Sequence, residues 1–271
     1  MLYLKPFFDK IYYKVNCMKT IITTLFCIST FTTFCQETGR METDRPDQTE
    51  SPYITRSRNI QAELGFNLER SGTLTTFVHP TALWKYGLNK NFEFRLITQC
   101  NSEEVPGALL EKNKMETGLI PIEVGGKLRL WEEKGLLPKT SVVAHVGIPK
   151  FASPYYQISK YTPRFRFTMQ NTITDNIGLG YNLGTEWRKE ADAPFWIYTI
   201  GPGFNLGKRG YFYVELFGEF QKNLPPSHNF DSGFGYYLSD NAKMDISSGF
   251  NLKNTSEFYI AAGFSFRFKT F

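Results

Sequence analysis

Residues 59–69, NIQAELGFNLE, decide the fold. Ile60, Ala62, Leu64, Phe66 and Leu68 fall on one face, and Gln61, Glu63, Gly65, Asn67 and Glu69 on the other. That period of two belongs to a β-strand with one apolar side. The pattern recurs to the end of the chain, at 59–69, 73–88, 92–98, 115–131, 139–149, 163–173, 177–187, 194–206, 211–220, 229–238, 242–252 and 257–268. Twelve is an even number, as a single-chain bacterial membrane barrel requires, so the sequence predicts one antiparallel transmembrane β-barrel over residues 59–268.

Composition neither announces nor excludes this. The chain is 41% hydrophobic and 21% charged, which resembles a soluble protein. In a membrane barrel only alternate residues meet lipid, so no run of roughly 20 apolar residues is needed. The aromatic content is more telling: 25 Phe, 15 Tyr and 4 Trp suit a lipid-facing wall with aromatic girdles. A soluble sandwich or lipocalin-like barrel would also alternate, but it would turn a face such as Phe258, Ile260, Ala262, Phe264, Phe266 and Phe268 inward and keep charge outside.

The connections test the reading independently, because such barrels have short periplasmic turns and longer extracellular loops. From a periplasmic amino terminus, the periplasmic connections fall at 89–91, 132–138, 174–176, 207–210 and 239–241, mostly tight turns of Asn, Asp, Gly and Ser. The long excursions, 99–114, 150–162, 188–193 and 221–228, all fall in the opposite set.

Upstream, Met18 and Lys19 precede an uncharged, largely apolar stretch ending at Cys35. It is too short to span a bilayer as a helix and reads as a signal peptide, residues 18–35, with Gln36 as the mature amino terminus and residues 1–17 an over-extended start. Removing 1–35 lowers the formal charge from +5 to about +2, too weak a bias to point to nucleic acid. It also leaves Cys100 as the one cysteine, so neither a disulfide framework nor a Cys metal site is expected. Residues 269–271 read as a short tail after a strand ending on Phe268.

Between cleavage site and first strand, residues 36–58 contain METDRPDQTESP, Met41 to Pro52. With LWKYGLNKNFEFRL at 83–96, and in particular Lys85, Tyr86, Gly87, Leu88, Glu93 and Arg95, this motif resembles the Phenol MetA degradation family of outer-membrane proteins over roughly 41–268. The resemblance implies a transporter-like barrel in the outer membrane of a Gram-negative bacterium, and brings neither a catalytic residue nor a solute with it. Physically, the motif is too polar and too broken by Pro46 and Pro52 to be a lipid-facing strand. Two readings stay open: a constriction or plug at the periplasmic mouth carrying Asp44, Arg45, Asp47 and Glu50, or a solvated linker.

If the apolar rows face lipid, Glu93, Arg95, Glu123, Lys127, Arg129, Arg164, Arg166, Glu215, Lys243 and Asp245 face the lumen, since each would cost about 2–4 kcal/mol on the lipid side. These mixed charges either line a pore or neutralise one another and fill a narrow barrel. The inner row Tyr211, Tyr213, Glu215, Phe217 and Glu219 offers a ladder for a hydrophobic or aromatic solute, or packs against the amino-terminal segment. The histidines, His79, His145 and His228, have no partners at a telling spacing, and neither a nucleophile elbow nor an HExxH motif occurs. A Ser/His pair near Ser141 and His145, or on the outer wall, is what an outer-membrane enzyme would need. The sequence therefore predicts a cofactor-free barrel whose partners are outer-membrane lipid, the assembly machinery and a small solute of hydrophobic type, with no nucleic acid. The rival is a closed barrel acting through its extracellular loops.

Overall fold

The wall is built from strands whose two faces, over most of their length, differ in polarity. The computed structural model describes residues 39–105, 113–189, 191 and 193–270. The expected signal peptide and the expected tail residue Phe271 lie outside them. The strands are β1 (Asn59–Ser71), β2 (Leu74–Asn89), β3 (Phe92–Val105), β4 (Lys114–Leu119), β5 (Glu123–Trp131), β6 (Lys139–Gly147), β7 (Thr162–Thr174), β8 (Ile177–Glu186), β9 (Phe195–Leu206), β10 (Gly210–Phe220), β11 (Ser227–Ser239), β12 (Ala242–Asn251) and β13 (Phe258–Lys269). All pairings between these strands are antiparallel, and β1 pairs with both β2 and β13, which closes the sheet. Strands β4 and β5 both pair with β3 and are halves of one crossing, so the barrel has twelve staves.

Two expectations need correction. The predicted strand 115–131 is broken at Ile120-Pro121-Ile122, where Pro121 has no N–H to give the ladder. The predicted loop 99–114 begins too early: β3 continues to Val105 and pairs with β4 through Cys100↔Leu119 to Val105↔Lys114. Residues 101–104, NSEE, are polar on both faces of the strand, so alternation fades although the hydrogen bonds continue.

The outer face is apolar. Phe66, Leu183, Trp196 and Ile246 are each more than half exposed, whereas Glu63, Lys127, Asp231 and Ser265 are fully buried on the inner face. Ala62 is the instructive exception on the lipid side, buried where its neighbours in register are Trp84 and Phe266. A closed sheet with a polar inside and an apolar belt is an outer-membrane barrel, because it leaves no unpaired edge in hydrocarbon.

Candidate functional site

The lumen is occupied by the chain itself. Near the short-turn end, the Met41 amide donates to the Asp240 carbonyl at 2.9 Å, and the Arg40 guanidinium donates to Asn205 at 2.9 Å. Residues 42–55 then run between the inner faces of the staves and leave at the same end, where Ser57 bridges Gly87 and the Arg58 amide donates to the Gly87 carbonyl at 2.8 Å. The excursion is a loop laid across the short-turn half of the barrel.

A segment broken by two prolines cannot satisfy its amides by joining the sheet, so inner-wall side chains do so instead. The amide of Asp44 donates to Glu63 at 2.9 Å, that of Gln48 to Glu215 at 2.8 Å, that of Glu50 to Asn182 at 2.8 Å and that of Thr55 to Glu93 at 2.6 Å. Asn182 Nδ2 also returns a bond to the Glu50 carbonyl at 3.0 Å, so one amide side chain serves both polar groups of one residue. Ser141 Oγ donates to the Pro52 carbonyl at 2.6 Å, and Tyr213 donates to the Pro46 carbonyl at 3.3 Å. At the apex, Thr49 meets Thr199 at 2.6 Å and also donates to Glu215.

Charge fixes the loop on its other side. Asp44 is held by Lys85 at 2.5 Å, Arg95 at 3.0 Å and Lys127 at 3.2 Å, from three staves. Lys85 also pairs with Glu63 at 2.5 Å, and Arg95 with Glu50 at 3.1 Å and Glu93 at 3.5 Å. Burial alone would raise the Asp44 carboxyl, but Lys127, Lys85 and Arg95 outweigh it and hold the group well below the usual carboxylate range. Glu50 behaves alike: burial opposes ionisation, and Arg95 and Arg166 pull the carboxyl down to about 2. Asp47 is the opposite case. Burial, reinforced by the Glu215 carboxylate and only partly offset by Lys243, pushes it up to about 8. Its bonded partner is Tyr211, which donates to it at 3.1 Å.

Close approach requires glycine in the wall. A Cβ on Gly65 or Gly263, neighbours in register across the β1–β13 seam, would fall 2.3 or 2.4 Å from the Arg45 guanidinium, which itself reaches Asp245 at 2.9 Å. A Cβ on Gly87 would meet the carbonyl oxygens of Thr55 and Arg56 at 2.3 Å. Beside the loop, a polar cavity of about 150 Å³ is lined by Arg40, Asp47, Tyr53, Tyr211, Tyr237 and Lys243, among others.

The predicted lumen residues thus divide. Asp44, Arg45, Asp47, Glu50, Glu93, Arg95, Lys127, Arg166, Glu215, Lys243 and Asp245 are joined in one assembly; Lys243 donates to Thr43 and to the Arg45 carbonyl at 2.8 Å, and Arg166 lies 3.8 Å from Glu50. Glu123 and Arg164 pair with each other at 2.7 Å, and Arg129 turns to Glu132 at 2.7 Å beside a turn, so these three lie apart from it. Sequence reasoning omitted Lys85, Glu63, Asn182 and Ser141 from the site, though each occupies an inward position of its strand. The row Tyr211, Tyr213 and Glu215 packs against the loop. Ser141 bonds Pro52, and no bond joins it to His145. Among the described residues no group of His, Cys, Asp and Glu could hold a metal ion.

Comparison with solved structures places this architecture among outer-membrane barrels. A COG4313 outer membrane channel from Pseudomonas putida F1 superposes with a TM-score of 0.63 at 8% identity, covering 84% of this chain and all of the other. The KdgM porin in complex with disordered oligogalacturonate gives 0.49 at 11% identity, covering 76% and 99%. The toluene transporter TbuX of Ralstonia pickettii gives 0.45 at 8% identity, covering 82% and 92%. The first of these likenesses speaks for the fold and, with the apolar belt, for the outer membrane. No curated protein matches the chain. The family described as "Putative MetA-pathway of phenol degradation" matches residues 43–268, from within the luminal loop to the end of the last apolar row, and the chain belongs to that family.

Proposed function

We propose that this protein is an outer-membrane channel for small solutes, hydrophobic or aromatic ones foremost, whose floor is the loop of residues 40–58. The observation that carries the reading is the use of inner-wall carboxylates and amides, from β1, β3, β8 and β10, as acceptors for the loop's own backbone. A solvated linker would leave those amides to water. A barrel filled only for stability could do so with side chains from its staves. Here the filling is a separate strip, tied to the wall through side chains between its two backbone-bonded ends and able to leave without breaking the ladder between strands. The family description, which concerns phenol degradation, supports aromatic solutes as the class carried.

The test uses the full chain. Thr49→Cys with Thr199→Cys, in a Cys100→Ser background, replaces two hydroxyls 2.6 Å apart with thiols that can be joined. In planar bilayers the oxidised protein should show small, steady conductance, and reduction should restore larger, fluctuating steps. Silence in both states, and in variants that loosen the loop, would favour the rival reading, a closed barrel acting through its outer loops.

A further inference from the structure

The wall is interrupted at one height. The register of β1 against β2 shifts between Gly65 and Asn67, and that of β2 against β3 shifts between Val78 and Thr81, a stretch containing Pro80. Over this place lies an open groove of about 650 Å³ on the outer surface. Its lining is overwhelmingly apolar, with Phe66, Phe77, Met115, Ile246 and Ile260 from the lipid-facing rows. It also includes Asn67 and Val78, which belong to inward rows, because the bulges bring both faces of the wall to one recess.

Set into this apolar surface are three hydrogen-bonding side chains. His79 Nε2 is 2.7 Å from Ser102 Oγ, and Ser102 Oγ is 2.7 Å from Thr117 Oγ1. Register puts Ser102 opposite both Phe77 and Thr117, so the trio lies on the lipid side. His79 is exposed there, and it lines the groove together with Ser102. Ser102 engages Nε2, and the second ring nitrogen, Nδ1, bonds to no described residue, which is unfavourable on a hydrocarbon-facing wall unless a ligand supplies the bond. His79 sits five residues from the loop-side start of β2, toward the extracellular boundary, where an amphiphile's polar end resides.

We propose that this groove binds a membrane-dissolved apolar molecule carrying one hydroxyl, such as an alkylphenol, with its body along Phe66, Met115 and Ile260 and its hydroxyl on His79 and Ser102. A lipid acyl chain would fit the apolar floor equally well but would make no use of the trio. That difference separates the two occupants. The site stands whether or not the barrel conducts, so silence in the bilayer assay would remove the channel reading and leave this one intact.

The experiment is photo-crosslinking of the full-length protein in lipid nanodiscs with a diazirine-bearing 4-alkylphenol and with its methyl ether, followed by peptide mapping. The phenol should label peptides around residues 66–79 and 244–262, unlabelled 4-alkylphenol should compete, and the ether should label roughly fivefold less, the worth of one net hydrogen bond. His79→Leu should abolish the preference for phenol over ether, while Ile260→Trp should reduce labelling by both. Equal labelling by phenol and ether, or a preference that survives both His79→Leu and Ser102→Ala, would overturn the proposal and make the groove an acyl-chain contact only. Labelling confined to the lumen would overturn it as well.

Discussion

Replacing Asp44 with asparagine should loosen the floor more than any other single change in the loop. Asparagine is nearly the same size and keeps an acceptor for the Ser51 amide, 2.9 Å away in the native protein. What disappears is the charge that Lys85, Arg95 and Lys127 converge on, and all three are buried to within 3% exposure. Of their other charged partners, Glu63 and Glu93 belong to the wall and Glu50 to the loop, which otherwise offers only the uncharged Ser51 and Tyr53 carbonyls, both to Lys127. Depriving buried charges of a partner costs about 3–5 kcal/mol, which would raise the undocked population of the loop by roughly two to three and a half orders of magnitude. Single-channel recording should therefore show Asp44→Asn opening far more often than wild type at neutral pH. Unchanged band shift on heating would show that the barrel itself is intact. Glu132→Gln, which removes an exposed pair with Arg129 and Lys139, is the control and should change little. Equal open times in Asp44→Asn and wild type, with equal protease resistance of residues 40–58, would refute the argument that this cluster fastens the loop.

Gly87→Ala should push the loop from its exit, since the new methyl would meet two carbonyl oxygens at 2.3 Å that cannot swing aside like a side-chain tip; overpacking of about 1–3 kcal/mol should speed tryptic cleavage at Arg56 and Arg58. The pH dependence of docking follows from two opposed shifts. A carboxyl raised to about 8 in the docked loop, as at Asp47, binds more protons docked than free; its contribution is full below about pH 4 and is lost as pH rises through 8, so opening should increase from pH 5 to 8 and Asp47→Asn should flatten the trend. Asp44 and Glu50, held below their usual values, contribute above about pH 4 and lose that contribution only as pH falls toward 2, so a second rise in opening belongs at strongly acidic pH. On the outer wall, Leu216→Arg, midway along β10 and 46% exposed, should lower barrel stability in urea titrations by about 2–4 kcal/mol, while a change at a turn should not.

The staves were legible in the sequence because the membrane imposes a rule on every second residue, and the run from Phe258 to Phe268 obeys it without exception. Legibility failed where the rule lapses. Residues 101–104 are polar on both sides; Ile120-Pro121-Ile122 keeps its apolar character while losing an amide; and the bulge at Val78–Thr81 changes phase inside a continuous strand, marked only by Pro80. For the site, the luminal charges could be assigned by phase alone, since neither sign can face lipid. Their partners could not. That Asp44 selects Lys85, Arg95 and Lys127 depends on the path of a loop with no periodicity, and Gly65, Gly87 and Gly263 mark that path only once it is known that a chain passes over them.

The Arg45 side chain bridges the beginning and end of the polypeptide. It lies over Gly65 of the first strand and Gly263 of the last, and reaches Asp245, 200 positions away in sequence; Thr43 and Lys243 span the same distance. Contacts so remote carry a large closure entropy and form late. The amino-terminal loop is synthesised before any strand, yet it acquires two of its partners, Lys243 and Asp245, only when the carboxyl-terminal hairpin arrives. A barrel missing that hairpin would hold Arg45 without Asp245 and Thr43 without Lys243. Docking of the loop is thereby complete only when the chain is, so that a truncated or misregistered barrel is marked by a looser, more cleavable amino terminus.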